Sequence, residues 1–326
     1  MAVQLMQQKC RCDGTARLNL PTILSILSTK RGNSIASFLM ETMITTIGVI
    51  GAGTMGSGIA EVAAAARFNV LVHDVAEEAL SAGMARIKQS LNRAVEKDRL
   101  TAVAATEIYA HLQPAPRLDA LRDADVVIEA ALERLDVKRE LFRTLDALVK
   151  REAILTSNTS SLSITAIAAA TTRQPQVAGL HFFNPPTVMR LVEVVRGKQT
   201  SDETIASCLD LVKRFGKTPV VCGDTPGFIV NRVARPFYGE ALRLLGEGIA
   251  SVETIDRIVK QVGGFKMGPF ELMDLIGIDV NYAVTQSVYE QFFYEPRFRP
   301  HPIQRLMVEA GTLGRKTKKG FYTYES

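Results

Sequence analysis

Short apolar runs alternate with longer amphipathic stretches along much of the chain, and towards the C-terminus only helical spacing remains. The run over 44–50 reads as a buried strand, 57–67 as a helix, and 69–73 as a second strand. Over 76–99 the apolar residues Leu80, Met84, Ile87, Leu91 and Val95 recur at helical spacing, with Arg86, Lys88, Arg93 and Lys97 on the other side. Strands are expected at 125–130 and 153–157, with a charged helix over 133–150 between them. The polar run Asn158-Thr159-Ser160-Ser161 then reads as a cap opening a helix near Leu162. A strand over 176–180 ends at His181, the Pro185-Pro186 loop turns the chain, and 191–195 returns as a strand. A helix over 202–215 and a last strand over 218–222 lead to Asp224-Thr225-Pro226-Gly227, the best candidate domain boundary. Beyond it nearly everything reads as helix, with breaks near Gly246, Gly263-Gly264 and 296–300. No internal repeat is visible.

Between the first strand and its helix lies Gly51-Ala52-Gly53-Thr54-Met55-Gly56, and the second strand ends at Asp74. Strand, glycine turn, helix, strand and acid in that order form the dinucleotide-binding fingerprint. Gly51 permits the tight turn, Gly53 lets backbone approach a pyrophosphate, and Gly56 lets helix and strand pack closely. The helix N-terminus that follows offers unpaired N–H groups and a positive dipole to phosphates, and Thr54 and Met55 of the turn are expected among the cofactor contacts. Asp74 can accept from both ribose hydroxyls and would repel a 2′-phosphate, so NAD is preferred over NADP. The expected fold class is therefore α/β. A Rossmann-type, mostly parallel sheet domain occupies 43–225, and a smaller all-α domain follows over 226–326. Ligands of such sheets sit beyond the carboxyl ends of the strands, where the hydroxyl cluster at 158–161 falls.

Composition narrows the class. At 326 residues the chain is long for one core. No run reaches the ~18 apolar residues of a membrane span. The net charge is +5, but Lys9, Arg11, Arg17, Lys30 and Arg31 stand against only Asp13 and Glu41 in the first 42 residues. What is left is too little to point to nucleic acid. Cys10, Cys12, Cys208 and Cys222 show neither metal-ligand spacing nor a disulfide framework, which fits a reducing, cytoplasm-like compartment. Residues 1–42 are basic and rich in Ser and Thr, as organelle transit peptides are. A disordered extension, or a start codon assigned upstream of Met43, accounts for them as well and is preferred, so the expected location is cytoplasmic.

The chemistry centres on His181 and Glu193. A dehydrogenase must accept a proton from an alcohol as hydride leaves the adjacent carbon, and an imidazole titrates in the right range. Two strands joined by a proline turn can bring a carboxylate against the imidazole, fixing its tautomer. A structural histidine at a strand end is the competing reading.

From about Met43 onward the chain resembles the L-3-hydroxyacyl-CoA dehydrogenases, of the single-function bacterial type that includes 3-hydroxybutyryl-CoA dehydrogenases. The resemblance rests on four blocks: 51–58, Ser157-Asn158-Thr159-Ser160-Ser161-Leu162, His181-Phe182-Phe183-Asn184-Pro185 through Leu191-Val192-Glu193, and Pro226-Gly227-Phe228-Ile229-Val230-Asn231-Arg232. The closing Gly314-Arg315-Lys316-Thr317 and Gly320-Phe321-Tyr322 are also family-like. The resemblance implies His181 as catalytic base, Glu193 as its partner, and Ser160 and Asn231 beside the substrate's C3 oxygen. It also implies Asp74 at the ribose, Glu133, Lys138, Asn184 and Lys316 as further NAD contacts, and Ser90 and Lys97 as CoA contacts. No metal is implied, and the partners are an acyl-CoA substrate and a second copy of the chain docked through the helical domain. Pro185-Pro186-Thr187 departs from the family's usual loop. The implied reaction is reversible oxidation of 3-hydroxybutyryl-CoA or a longer L-3-hydroxyacyl-CoA to the 3-oxoacyl-CoA. 3-Hydroxyadipyl-CoA is an alternative substrate, and a non-catalytic, crystallin-like NAD-binding protein an alternative role. The 6-phosphogluconate and 3-hydroxyisobutyrate dehydrogenases share the two-domain plan, but they leave the His181 block unexplained.

Overall fold

Most of the apolar runs become strands because nearly every residue in them is buried, as a sheet covered on both faces requires. The run over 218–222 instead forms an edge strand with no residue fully buried. The computed structural model describes residues 44–325, so the expected extension over 1–42 lies outside the described residues. The strands are β1 (Thr46–Ile50), β2 (Asn69–His73), β3 (Leu112–Pro114), β4 (Val126–Glu129), β5 (Ile154–Ser157), β6 (Val177–Phe182), β7 (Leu191–Arg196) and β8 (Thr218–Gly223). They form one 8-stranded sheet in the order β3-β2-β1-β4-β5-β6-β7-β8. Every pairing is parallel except that of β6 with β7. The strand order reverses at β1, which sits between β2 and β4, and this reversal opens a crevice at the carboxyl ends of β1 and β4. The domain is Rossmann-type, as expected.

The sheet-domain helices are α1 (Thr54–Ala65), α2 (Glu77–Glu96), α3 (Ala102–Ala110), α4 (Leu135–Leu148), α5 (Ile164–Ala168) and α6 (Asp202–Arg214). Three details differ from the expected pattern. Helix α1 begins at Thr54, directly on the glycine turn, so its first turn contains residues read as loop. Helix α5 begins at Ile164 with Ser163 as cap, because Thr159 Oγ1 instead holds Leu162 N in a turn at 3.0 Å. Between α2 and β4, α3 and the edge strand β3 were not anticipated. Helix α3 buries only Ala105, and β3 is 3 residues long and ends in proline, so neither leaves a periodic signal.

Past the boundary the chain is helical: α7 (Val230–Gly246), α8 (Val252–Gln261), α9 (Pro269–Ile276), α10 (Ile278–Gln291) and α11 (Pro302–Glu309). Their apolar faces enclose a second core of Tyr238, Leu242, Ile255, Phe270, Met273 and Ile278.

Candidate active site

The sheet's antiparallel pairing of β6 with β7 creates the central pair. His181 on β6 and Glu193 on β7 are register partners, so their side chains stand opposite each other on one face. His181 Nδ1 lies 2.6 Å from Glu193 Oε2, and the residues are 5% and 1% exposed. The other carboxylate oxygen, Oε1, accepts from Ile229 N at 3.0 Å and Val230 N at 2.9 Å. Those amides open α7, so unpaired N–H groups and a helix dipole hold the acid as an acceptor. Nδ1 is therefore the donor to Glu193, which leaves the lone pair on Nε2. The rings of Phe183 and Phe228 flank the imidazole, with centroids at 4.6 Å and 5.6 Å.

Ser160 reaches the same place through the loop after β5. Glu133 Oε1 gathers that loop, accepting from Thr159 Oγ1 at 2.6 Å, Ser160 N at 3.0 Å and Ser161 Oγ at 3.2 Å. Asn158 Oδ1 accepts from Phe182 N at 2.8 Å, tying the loop to the end of β6. Asn231 Nδ2 lies 3.5 Å from Ser160 O, so α7 and the serine loop meet beside the imidazole. Among the described residues none hydrogen-bonds Ser160 Oγ, which leaves the hydroxyl available to a ligand.

At the crevice the glycine turn fits a dinucleotide on structural grounds. Helix α1 has Gly53 at its cap, with no side chain to satisfy the first N–H groups. A Cβ placed on Gly53 would meet nothing within 4 Å, so the backbone is open to an approaching phosphate. Gly51 has φ 93°, and Gly56 packs so closely that a Cβ there would fall 1.7 Å from Gly51 O. Asp74 Oδ2 accepts from Ala52 N at 2.7 Å, and Arg86 Nη1 donates to Ala52 O at 2.9 Å. The acid thus stands beside the turn with lone pairs to spare.

The other expected residues scatter. Lys138 is 1% exposed, and its ammonium lies 2.5 Å from Glu129 Oε1 and 3.4 Å from Glu133 Oε2. It stands behind Glu133 as a buried brace. Asn184 is exposed, at a cis bond to Pro185. Lys316 pairs with Asp279 of α10 at 2.5 Å, which places it against the helical region. Ser90 Oγ donates to Glu61 Oε1 at 3.0 Å, and burial pushes that carboxyl up despite the hydroxyl. Lys97 is exposed at the end of α2, near an open cavity of ≈ 550 Å³ between α2 and α3 that Lys88 and Tyr109 help to line. Two supporting residues had no sequence signal. Glu129, fully buried, holds Lys138 and Ser157 Oγ. Asp224 accepts from Ser163 Oγ, Ile164 N and Thr165 N at 2.8, 3.0 and 2.7 Å, capping α5.

Comparison with known proteins adds the following. A family model described as 3-hydroxyacyl-CoA dehydrogenase, NAD binding domain, matches residues 46–225, and its C-terminal-domain counterpart matches 227–324. The chain is 49% identical to a 3-hydroxyadipyl-CoA dehydrogenase of Escherichia coli; the match covers 87% of this chain and 60% of that longer protein. It is 45% identical to a 3-hydroxybutyryl-CoA dehydrogenase of Bradyrhizobium diazoefficiens, covering 87% and 97% of the two chains. A crystal structure of an (S)-3-hydroxybutyryl-CoA dehydrogenase from Ralstonia eutropha superposes with TM-score 0.83 at 43% identity, covering 87% and 100%.

Proposed function

The chain belongs to the 3-hydroxyacyl-CoA dehydrogenase family of NAD-dependent oxidoreductases, and on that premise we propose that His181 is the general base in reversible oxidation of an L-3-hydroxyacyl-CoA to the 3-oxoacyl-CoA. The observation that carries this reading is the His181–Glu193 pair at 2.6 Å, with Glu193 held in turn by the first amides of α7. His181 Nε2 takes the C3 hydroxyl proton. Glu193 stabilises the imidazolium that forms and keeps the neutral ring in the tautomer that can accept. Ser160 and Asn231 hold the C3 oxygen, and the low exposure of the pair keeps bulk water off the transferring proton. NAD would supply the hydride acceptor for C3. Gly51, Gly53 and Gly56, with the N–H groups around Thr54 and Met55, would hold its pyrophosphate, and Asp74 its ribose. Glu133 positions the serine loop, with Lys138 behind it, and Asn184, exposed on the loop between β6 and β7, would be a further contact for NAD. Ser90, Lys97 and the basic side of α2 offer a landing face for the CoA phosphates, and Lys316 would reach NAD from the helical region.

The substrate is 3-hydroxybutyryl-CoA or a longer homologue. Two copies pair through the helical region, and the protein works in the cytoplasm; no helix among the described residues is long and apolar enough to cross a membrane. Loss of nicotinamide absorbance when NADH is mixed with acetoacetyl-CoA tests the reading. A protein that binds NADH and reduces no 3-oxoacyl-CoA would overturn it in favour of a binding role.

A further inference from the structure

One turn beyond Asn231 on α7 stands a charge without a counter-charge. Arg235 is 4% exposed, and among the described residues no carboxylate lies within ion-pair distance of it. Its Nε donates to Asn231 O at 3.1 Å, and its Nη1 donates to Asn281 O and Thr285 Oγ1 of α10, both at 2.9 Å. All three acceptors are neutral, and Nη2 has no hydrogen-bond partner among the described residues. Burial pulls the guanidinium down to about 10, so it remains a cation at neutral pH. Beside it is a buried donor that is unsatisfied: Asn281 Nδ2 has no partner among the described residues. The orientation of that amide follows from its neighbour, since Gln304 Nε2 donates to Asn281 Oδ1 at 2.8 Å and leaves Nδ2 as the donor. A buried cation beside an orphaned N–H is costly unless an anion or strong acceptor completes it.

We propose that Arg235, with Asn281, receives the terminal carboxylate of a 3-hydroxyacyl-CoA whose acyl chain ends in an acid. The proposal rests on the dehydrogenase reading above, which places the C3 oxygen at Asn231. One helical turn advances ~5 Å along α7. That span is comparable to the three carbon–carbon bonds from C3 to C6 of a six-carbon diacid chain. A planar guanidinium matches a carboxylate in shape and charge, and one neutral donor beside it fixes the orientation. An uncharged chain of equal length leaves both donors unsatisfied, so the site discriminates by the polar group that is missing.

The test compares 3-oxoadipyl-CoA with 3-oxohexanoyl-CoA, equal in carbon number, as substrates for NADH oxidation. The wild-type protein is expected to favour the carboxylated chain by ~10-fold or more in kcat/KM, and Arg235→Met to lower the ratio of the two values by at least ~30-fold. Asn281→Asp, which supplies an anion of its own, should abolish the preference while raising Tm. A wild-type preference for the uncharged chain overturns the proposal and leaves the dehydrogenase reading standing, as does an Arg235→Met variant that loses equally on both chains. Turnover of acetoacetyl-CoA but of neither six-carbon chain likewise overturns the proposal and leaves the dehydrogenase reading standing, whereas turnover of none of the three removes both. Should Arg235→Met fail to fold, the wild-type ratio and Asn281→Asp still decide.

Discussion

At the scale of single residues, the site divides into groups that act and groups that hold them. His181→Gln keeps an amide against Glu193 but loses the basic nitrogen, and general-base action is typically worth ~10²–10⁴ in rate. Turnover of acetoacetyl-CoA should fall by about that factor in steady-state kinetics, while NADH affinity from fluorescence titration stays close to wild type. A parallel loss of NADH binding would make the imidazole a structural element. Lys138 belongs to the second group. Lys138→Met strands Glu129, fully buried, with only Ser157 Oγ and Ala131 N for company. Breaking a buried pair from one side costs about 3–5 kcal/mol, so urea denaturation should show a loss of that order. A loss below about 1 kcal/mol would mean that the carboxyl finds another partner.

At the scale of elements, long-range polar contacts decide where strands and helices end. Asp146 on α4 accepts from Thr172 N, Thr172 Oγ1 and Arg173 Nε, joining the helix to the turn after α5. Burial pushes its carboxyl up, yet the Thr172 amide, the Arg173 guanidinium and the Thr172 hydroxyl together carry it below the ordinary range. A depressed folded-state pKa stabilises the fold above the unfolded value of ~3.9, and that contribution is lost as pH falls through the lower, folded value. Tm measured from about pH 6 down to about pH 3 should therefore fall more steeply for wild type than for Asp146→Asn; equal slopes would exclude Asp146 as a source of acid lability. The same level shows what the sequence could reveal. The glycine turn, the strands around it and the His181–Glu193 pair were legible because their signals are local: a run, a turn, a pair flanking one loop. Helix α3, β3, the caps on α5 and the Glu129–Lys138 contact were not. Asp224 reaches Ser163 across 61 positions of sequence, and spacing carries no trace of such a contact. Lys138 could be placed near the cofactor by resemblance, but its burial behind Glu133 follows only from three-dimensional packing.

At the scale of the whole molecule, apolar side chains stand unburied on the helical region. Val233 on α7 is 69% exposed, Ile258 on α8 53%, and Val262 and Phe265 just beyond α8 84% and 54%. If these side chains form one contiguous patch, they would suit a contact with a second copy. We expect sedimentation equilibrium to give a dimer, and Val262→Glu combined with Phe265→Glu to shift it to monomer while the circular-dichroism spectrum is unchanged. A dimer that survives both charges would place the interface elsewhere.

Glu193 takes its hydrogen bonds from both parts of the chain, the imidazole on the sheet side and two amides on the helical side. The seam between the parts therefore runs through one carboxylate. An isolated sheet portion could still grip a nucleotide, but its acid would face water where α7 used to begin. Swapping helical portions between relatives would transfer substrate preference only if the opening residues of that helix came back in register. The chemistry is shared property, and neither half can be remodelled at that point without the other's consent.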